Sequence, residues 1–151
     1  MLNKRRLSKG EKILVVDDDR VVGIAVREEL KEAGYSVTIA GSGKEAVRNA
    51  KLQNFALALV DLWMPGMDGV ETCKKVREVS PKTEVVLVSG RPDGFGGREG
   101  DFVKAGGVNF FLYKPFQEGE LVSIAKKVLA VSRKEGRKEG RKEGRKEGRK
   151  K

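Results

Sequence analysis

The sequence predicts an α/β domain in which five parallel strands are covered by helices on both faces. Three observations predict it. Strand-like and helix-like patterns alternate five times along the chain, the arrangement that builds parallel sheets from repeated crossovers. The strand segments FALALVD (55–61) and VVLVS (85–89) are unbroken apolar runs and do not alternate with polar residues, as expected for strands buried on both faces. Acids or hydroxyls stand where those runs end, at the carboxyl edge where open α/β sheets bind their ligands.

Each element follows in order. Lys12 to Asp17 is the first strand, and its run continues into Asp18 and Asp19. A helix from about Arg20 to Ala33 carries Val22, Ala25, Val26, Leu30 and Ala33 at helical spacing, with Gly34 as its stop. Tyr35 to Ala40 alternates as a second strand. Ser42-Gly-Lys-Glu45 has the Ser-x-x-Glu form of a capping box and opens a helix over 43–51. Phe55 to Asp61 is the third strand, followed at once by a Met-Pro-Gly turn. Asp68-Gly-Val-Glu71 caps a third helix bearing Val70, Cys73 and Val76. Glu84 to Ser89 is the fourth strand and Asn109 to Tyr113 the fifth. A last helix over 118–132 turns Leu121, Ile124, Ala125, Val128 and Leu129 inward.

Between the last two strands, Arg91 to Gly100 reads RPDGFGGREG. Glycine costs roughly 1 kcal/mol per helix position relative to alanine. The four glycines therefore predict a long loop and a fourth helix shortened to Asp101–Ala105.

Composition narrows the function. The chain has 151 residues, one cysteine and no histidine. One cysteine permits no internal disulfide and fits a reducing cytoplasm. Without imidazole there is no histidine base, no histidine metal ligand and no phosphohistidine on this chain. No apolar run approaches the length needed to cross a bilayer. Of the net charge of +10, the segment 133–151 holds +7 in four RKEG repeats and a remnant, leaving +3 for the rest. The basicity thus belongs to an appended tail. The expected organisation is a basic leader over 1–11, a domain over 12–132 and a low-complexity tail. High charge, regular glycines and no apolar face predict disorder or a weak helix for that tail.

The first and third strands, side by side, would gather Asp17, Asp18 and Asp61 in one pocket. Three carboxylates do not crowd together unless something cationic joins them. Ser89 and Lys114 stand at the ends of the fourth and fifth strands. With these residues in place, the chain resembles the receiver domain of two-component response regulators over about Lys12 to Ser132. Five separated elements agree in order: VVDDD, LVDLWMPGMDG, VVLVSG, Phe111 three residues before the lysine, and Lys114-Pro115-Phe116.

The resemblance implies a flavodoxin-like (βα)5 fold with strand order 2-1-3-4-5, a cytoplasmic signalling module, and Asp61 as the phosphoacceptor. Oxygen donors suit Mg²⁺: Asp18 and Asp61 as direct ligands, Asp17 through a water, and by resemblance the Trp63 carbonyl. Lys114 and Ser89 would contact phosphoryl oxygens. Ser89 and Phe111 would be the switch residues that reshape the face made by helix four, strand five and helix five. The Lys114-Pro115 bond resembles the family's cis peptide. A sensor histidine kinase or a histidine phosphotransfer protein would donate the phosphoryl group, and a downstream protein would read the result. The domain would catalyse only its own phosphorylation and hydrolysis. No output domain follows in this sequence, so a stand-alone receiver is expected.

Other readings carry less. Asp68 is expected to be a helix cap only, and Asp19 either a cap or a ligand. Gly41-Ser-Gly-Lys44 imitates a phosphate-binding loop, but Thr38 replaces its first glycine and Glu45 its Ser or Thr. Asp17-x-Asp19-x-Val21, Ser89 and Lys114 also resemble haloacid-dehalogenase phosphatases, with Asp17 as nucleophile and Asp19 as acid/base. That reading lacks the further acids after the lysine and leaves LVDLWMPGMDG without a role. The tail could make weak nucleic-acid contact by counterion release, which gives a nucleic-acid-associated regulator as an alternative. Trp63, two residues after Asp61, and Arg91, two after Ser89, are expected to shield the phosphoryl group from water.

Overall fold

The computed structural model describes residues 11–132, so both the basic leader, up to residue 10, and the RKEG tail lie outside the described residues. The elements in order are β1 (Lys12–Val16), α1 (Arg20–Glu32), β2 (Ser36–Ala40), α2 (Gly43–Leu52), β3 (Leu57–Asp61), α3 (Gly69–Val79), β4 (Glu84–Ser89), α4 (Glu99–Lys104) and β5 (Phe111–Tyr113). A final helix, α5, covers 120–132. The strands form one sheet in the order β2-β1-β3-β4-β5, and every neighbouring pair is parallel. This is the fold and strand order the sequence predicts.

Alternation along each strand divides the core in two. Leu14, Val16, Ala58, Val60, Val85 and Leu87 face one side, where they pack with Ala46, Cys73, Val76 and Phe102 from α2, α3 and α4. Ile13, Val15, Leu57, Leu59, Val86 and Val88 face the other, against Val26 and Leu30 of α1 and Leu121, Ile124, Ala125, Val128 and Leu129 of α5. All five inward positions expected of the last helix are buried. Two of those proposed for the first helix, Ala25 and Ala33, are exposed. The close position on that helix is Gly23, where a Cβ would approach the Ile39 Cγ2 to 3.2 Å.

The caps follow from local chemistry. Asp19 accepts hydrogen bonds from the amides of Val21 and Val22 and so starts α1 as its N-cap. Gly34 takes φ +101°, and the Gly34 and Tyr35 amides donate to the carbonyls of Lys31 and Leu30, closing the helix. Ser42 accepts from the Glu45 amide, while the Glu45 carboxylate reaches back to the Gly41 amide, one residue before the usual capping-box partner.

Some boundaries differ from the expected ones by one or two residues. β3 begins at Leu57, although the Ala56 amide still donates to the Lys12 carbonyl. β5 is shorter than expected because the Phe110 amide donates to Val108, which turns the chain just before the strand. The fourth helix spans Glu99–Lys104 instead of Asp101–Ala105 and remains short, as the glycines require.

Candidate phosphoacceptor site

The carboxyl ends of β1, β3, β4 and β5 converge on one pocket. Asp61, the last residue of β3, is 6 % exposed, and Asp17, just after β1, is 5 % exposed. Asp18 lies beside them on the solvent side. Among the described residues these three carboxylates can present ligand oxygens within 4.8 Å of one another. Lys114, just past β5, joins the buried pair: its ammonium donates to Asp17 Oδ2 at 2.8 Å and to Asp61 Oδ2 at 3.1 Å. The remaining oxygens are held by backbone, Asp17 Oδ1 by the Asp19 amide and Asp61 Oδ1 by the Trp63 amide.

Electrostatics follows from this geometry. Burial pushes the Asp61 carboxyl above its ordinary pKa; Lys114 and the Trp63 amide oppose that push, and the charge of Asp17 adds to it. Burial also works against the Lys114 charge, but its bonds to Asp17 and Asp61 prevail and leave its pKa raised. The lysine is therefore a fixed positive charge between two acids. Its amide donates to the Ser89 carbonyl at 2.8 Å, and the Lys114-Pro115 peptide is cis.

The turn after β3 is made tight by a close approach. At Gly69 a Cβ would lie 2.7 Å from the Asp61 carbonyl oxygen and 2.7 Å from the Leu62 Cα. No other residue lets α3 begin directly beneath β3. Asp68 caps that helix, accepting from the Glu71 amide at 3.0 Å, and its second oxygen accepts from Arg98 at 2.9 Å. Burial raises the Asp68 pKa, but the Glu71 amide and Arg98 outweigh it and the net shift is downward.

We expect Asp68→Ala to destabilise the domain by roughly 1–2 kcal/mol, about 1 from the cap and less from the half-exposed ion pair. That is a fall in melting temperature of about 5 °C at pH 7. An acid whose pKa is lowered by folding stabilises above its unfolded value, ~3.9, and stops doing so as pH falls through the folded value. The ionic part of the gap between wild type and variant should therefore vanish in acid melts.

Ser89 is completely buried, and its hydroxyl is fully engaged. It donates to the Gly94 carbonyl at 2.5 Å and accepts from the Arg91 amide at 3.2 Å and from the Trp63 indole at 3.1 Å. The same indole donates to the Gly94 carbonyl at 2.8 Å, and the Arg91 guanidinium lies 4.1 Å over the Trp63 ring. Phe111 is half-buried and meets Phe95 at 5.3 Å and Phe102 at 6.0 Å between ring centroids.

Every proposed site residue except Phe111 thus lies at or next to the carboxyl edge pocket. Asp19 is a helix cap. Sequence reasoning missed Gly94, Phe95 and Arg98, which the glycine-rich segment brings against the site. The one signal for them was an aromatic residue set among glycines.

The fold and the pocket together define a parallel α/β protein that concentrates acids and one lysine at the end of its central strands. The chain belongs to the response regulator receiver domain family, which its sequence matches over residues 13–126. It is 33% identical over 120 residues to the transcriptional regulatory protein ResD of Bacillus subtilis, covering 78% of this chain and 48% of ResD. The chain spans about half the length of the first curated relatives it matches. Among solved structures it resembles a CheY-like receiver domain protein from Methanospirillum hungatei, with a TM-score of 0.76, 28% identity, and coverage of 83% of this chain and 98% of that one. It also resembles the response regulator TrrA from Thermotoga maritima, solved in complex with Mg(2+)-BeF, with a TM-score of 0.68, 29% identity, and coverage of 78% and 98%. Among the described residues no helix is long and apolar enough to cross a membrane.

Proposed function

We propose that this receiver domain accepts a phosphoryl group on Asp61 from a phosphohistidine donor, in a Mg²⁺-dependent reaction in a cytoplasmic phosphorelay. The observation that carries this reading is the pairing of the Lys114 ammonium with both Asp17 and Asp61 inside a cluster of three carboxylates. Hard oxygen donors in that number suit Mg²⁺, and the likeness to TrrA, solved with Mg(2+)-BeF, supports the same choice. Asp18, Asp61 and the Trp63 carbonyl would hold the ion, with Asp17 acting through a water. Bound there, Mg²⁺ would neutralise the charge of a carboxylate facing a phosphoryl group.

The chain's own residues do the rest. An Asp61 oxygen attacks phosphorus in line with the departing imidazole nitrogen of the donor, forming an acyl phosphate as the phosphorus–nitrogen bond breaks. Lys114 stays as a point charge beside the new phosphoryl oxygens. Ser89 offers its hydroxyl to one of them, and Phe111 carries the change to the face of α4, β5 and α5. These 151 residues hold no histidine to serve as donor, and membership of the receiver family favours a sensor histidine kinase or a histidine phosphotransfer protein in that role. A downstream protein is the reader, and the transcriptional regulators among the relatives favour a process of gene control. Apart from taking up and losing its own phosphoryl group, the domain has no substrate to turn over. Incubation with acetyl phosphate and Mg²⁺, followed by intact-mass detection of the phosphorylated chain, tests the reading. An unmodified chain under conditions that label other receivers would sink it.

On this reading Trp63, with Arg91 stacked 4.1 Å over its ring, shields the acyl phosphate from water. Replacing the indole by a small polar group that can hold water, Trp63→Asn, should shorten the phosphorylated lifetime by about tenfold. That corresponds to ~1.4 kcal/mol of barrier, and following the decay of phosphorylated protein by gel shift reads it directly. An unchanged lifetime removes the shield from the account.

The alternative reading adds a nucleic-acid contact through the segment 133–151, supported by its charge of +7. Retention on immobilised DNA, compared with a chain ending at Ser132 at low and moderate salt, decides it. Equal retention by both forms dismisses the tail as an effector.

A further inference from the structure

Residues 90–98 form a strap beside the site. It touches the site at Ser89 and Trp63 through Gly94, at the Trp63 ring through Arg91, and at the α3 cap through the Arg98–Asp68 ion pair. Gly94 is buried, so its carbonyl oxygen needs a partner from the protein. In this structure it has two, the Ser89 hydroxyl and the Trp63 indole. A hydroxyl has one proton to donate. If that proton turns to a phosphoryl oxygen on Asp61, Gly94 loses the Ser89 bond.

We propose that Trp63 is a positioning residue for Ser89: its indole N–H keeps the buried Gly94 carbonyl paired when the Ser89 hydroxyl leaves it for the phosphoryl group. The inference rests on the phosphoacceptor reading of Asp61 and deepens it. The indole N–H is shared between the Ser89 oxygen and the Gly94 carbonyl in the resting state. When Ser89 turns away, that proton is concentrated on Gly94. The exchange conserves the number of satisfied buried groups, so the strap stays closed while the hydroxyl changes acceptor. Neither a purely steric role for the tryptophan nor stacking under Arg91 requires its nitrogen.

The consequence is asymmetric and can be measured. Trp63→Phe keeps a ring beneath Arg91 and removes the donor together with some bulk, a loss of bulk that is the same in both backgrounds compared below. In the resting state Gly94 is still paired with Ser89; in the phosphorylated state it has no partner. Binding of beryllofluoride, a mimic of the phosphoryl group, with Mg²⁺ should therefore weaken by about tenfold, the effect of one buried carbonyl left unpaired. In the Ser89→Ala background no hydroxyl leaves Gly94, so adding Trp63→Phe should leave the affinity unchanged.

Fluorine NMR titrations of the four proteins give this cycle, with thermal melts to establish that each is folded. Loss of the same factor in both backgrounds, or no loss in either, overturns the proposal. If Trp63→Phe does not fold, the indole proton signal of the otherwise native chain serves instead, because Trp63 is the only tryptophan. That signal should move on adding beryllofluoride to the native chain and stay in place in Ser89→Ala; equal movement in both refutes the exchange. A native chain that binds no beryllofluoride would instead count against the phosphoacceptor reading itself.

Discussion

Asp61→Asn should abolish phosphorylation. With acetyl phosphate and Mg²⁺ the variant should incorporate label at background, about a thousandfold or more below the native chain, as when a nucleophile is removed. An amide oxygen neither attacks phosphorus as a carboxylate does nor leaves an acyl phosphate. The loss should not come from misfolding. Folding raises the Asp61 pKa, through burial first, so its ionised form is held less favourably folded than unfolded. A raised carboxyl costs stability above its unfolded value and regains it as pH falls through the folded one. The neutral, nearly isosteric amide removes that cost, and Lys114 keeps Asp17 as a partner. Asp61→Asn should thus melt no lower than the native chain at pH 7, and the difference should shrink as pH falls. Asp17→Asn should reduce labelling without removing the acceptor. A chain labelled normally with Asn at 61 but silent with Asn at 17 would reverse the assignment and favour the phosphatase-like chemistry in which Asp17 is the nucleophile.

The strands were legible because both sheet faces are covered. Leu57 to Val60 and Val85 to Val88 must be apolar at every position, and such runs have few other homes. The pocket was legible because strand order and strand ends place side chains without any knowledge of loops. Asp17, Asp61 and Lys114 each sit at or within one residue of a strand end. The strap was not legible. RPDGFGGREG has no periodicity, and its glycines predict only that a long helix is unfavourable. That Phe95 is buried, with its ring 5.0 Å from Tyr113 and 5.3 Å from Phe111, depends on turns whose course the composition does not encode. The same holds for the Trp63 indole. Its position after Asp61 suggested bulk, whereas its hydrogen bonds span 26 and 31 residues of sequence to Ser89 and Gly94. Asp19 lay between two local chemistries, and the amides of Val21 and Val22 decided for the cap.

Lys114→Met should destabilise the domain without added metal by roughly 3 kcal/mol, lowering its melting temperature by about 10 °C at pH 7. Methionine retains much of the side chain's length and apolar stem, so the variant tests the charge and leaves no large void. The lysine holds two carboxylates whose side chains are 6 % and 8 % exposed. Removing one member of a buried ionic cluster leaves the other charges uncompensated, the costly way to break such a group. The backbone donors at Asp19 and Trp63 satisfy one oxygen of each acid but bring no net charge. A divalent cation can replace the missing positive charge, since Asp18 completes an oxygen set within its reach. Adding Mg²⁺ should therefore raise the melting temperature of Lys114→Met by more than that of the native chain. Binding to the folded state alone stabilises in proportion to the logarithm of ligand over dissociation constant, and the variant's uncompensated acids should lower that constant. Thermal melts over a magnesium titration, with Asp61→Asn/Lys114→Met as the control, separate the two contributions. Equal magnesium shifts in native and Lys114→Met proteins would mean that lysine and metal do not share the same carboxylates, and the acidic pocket would lose its claim to be the phosphoacceptor centre.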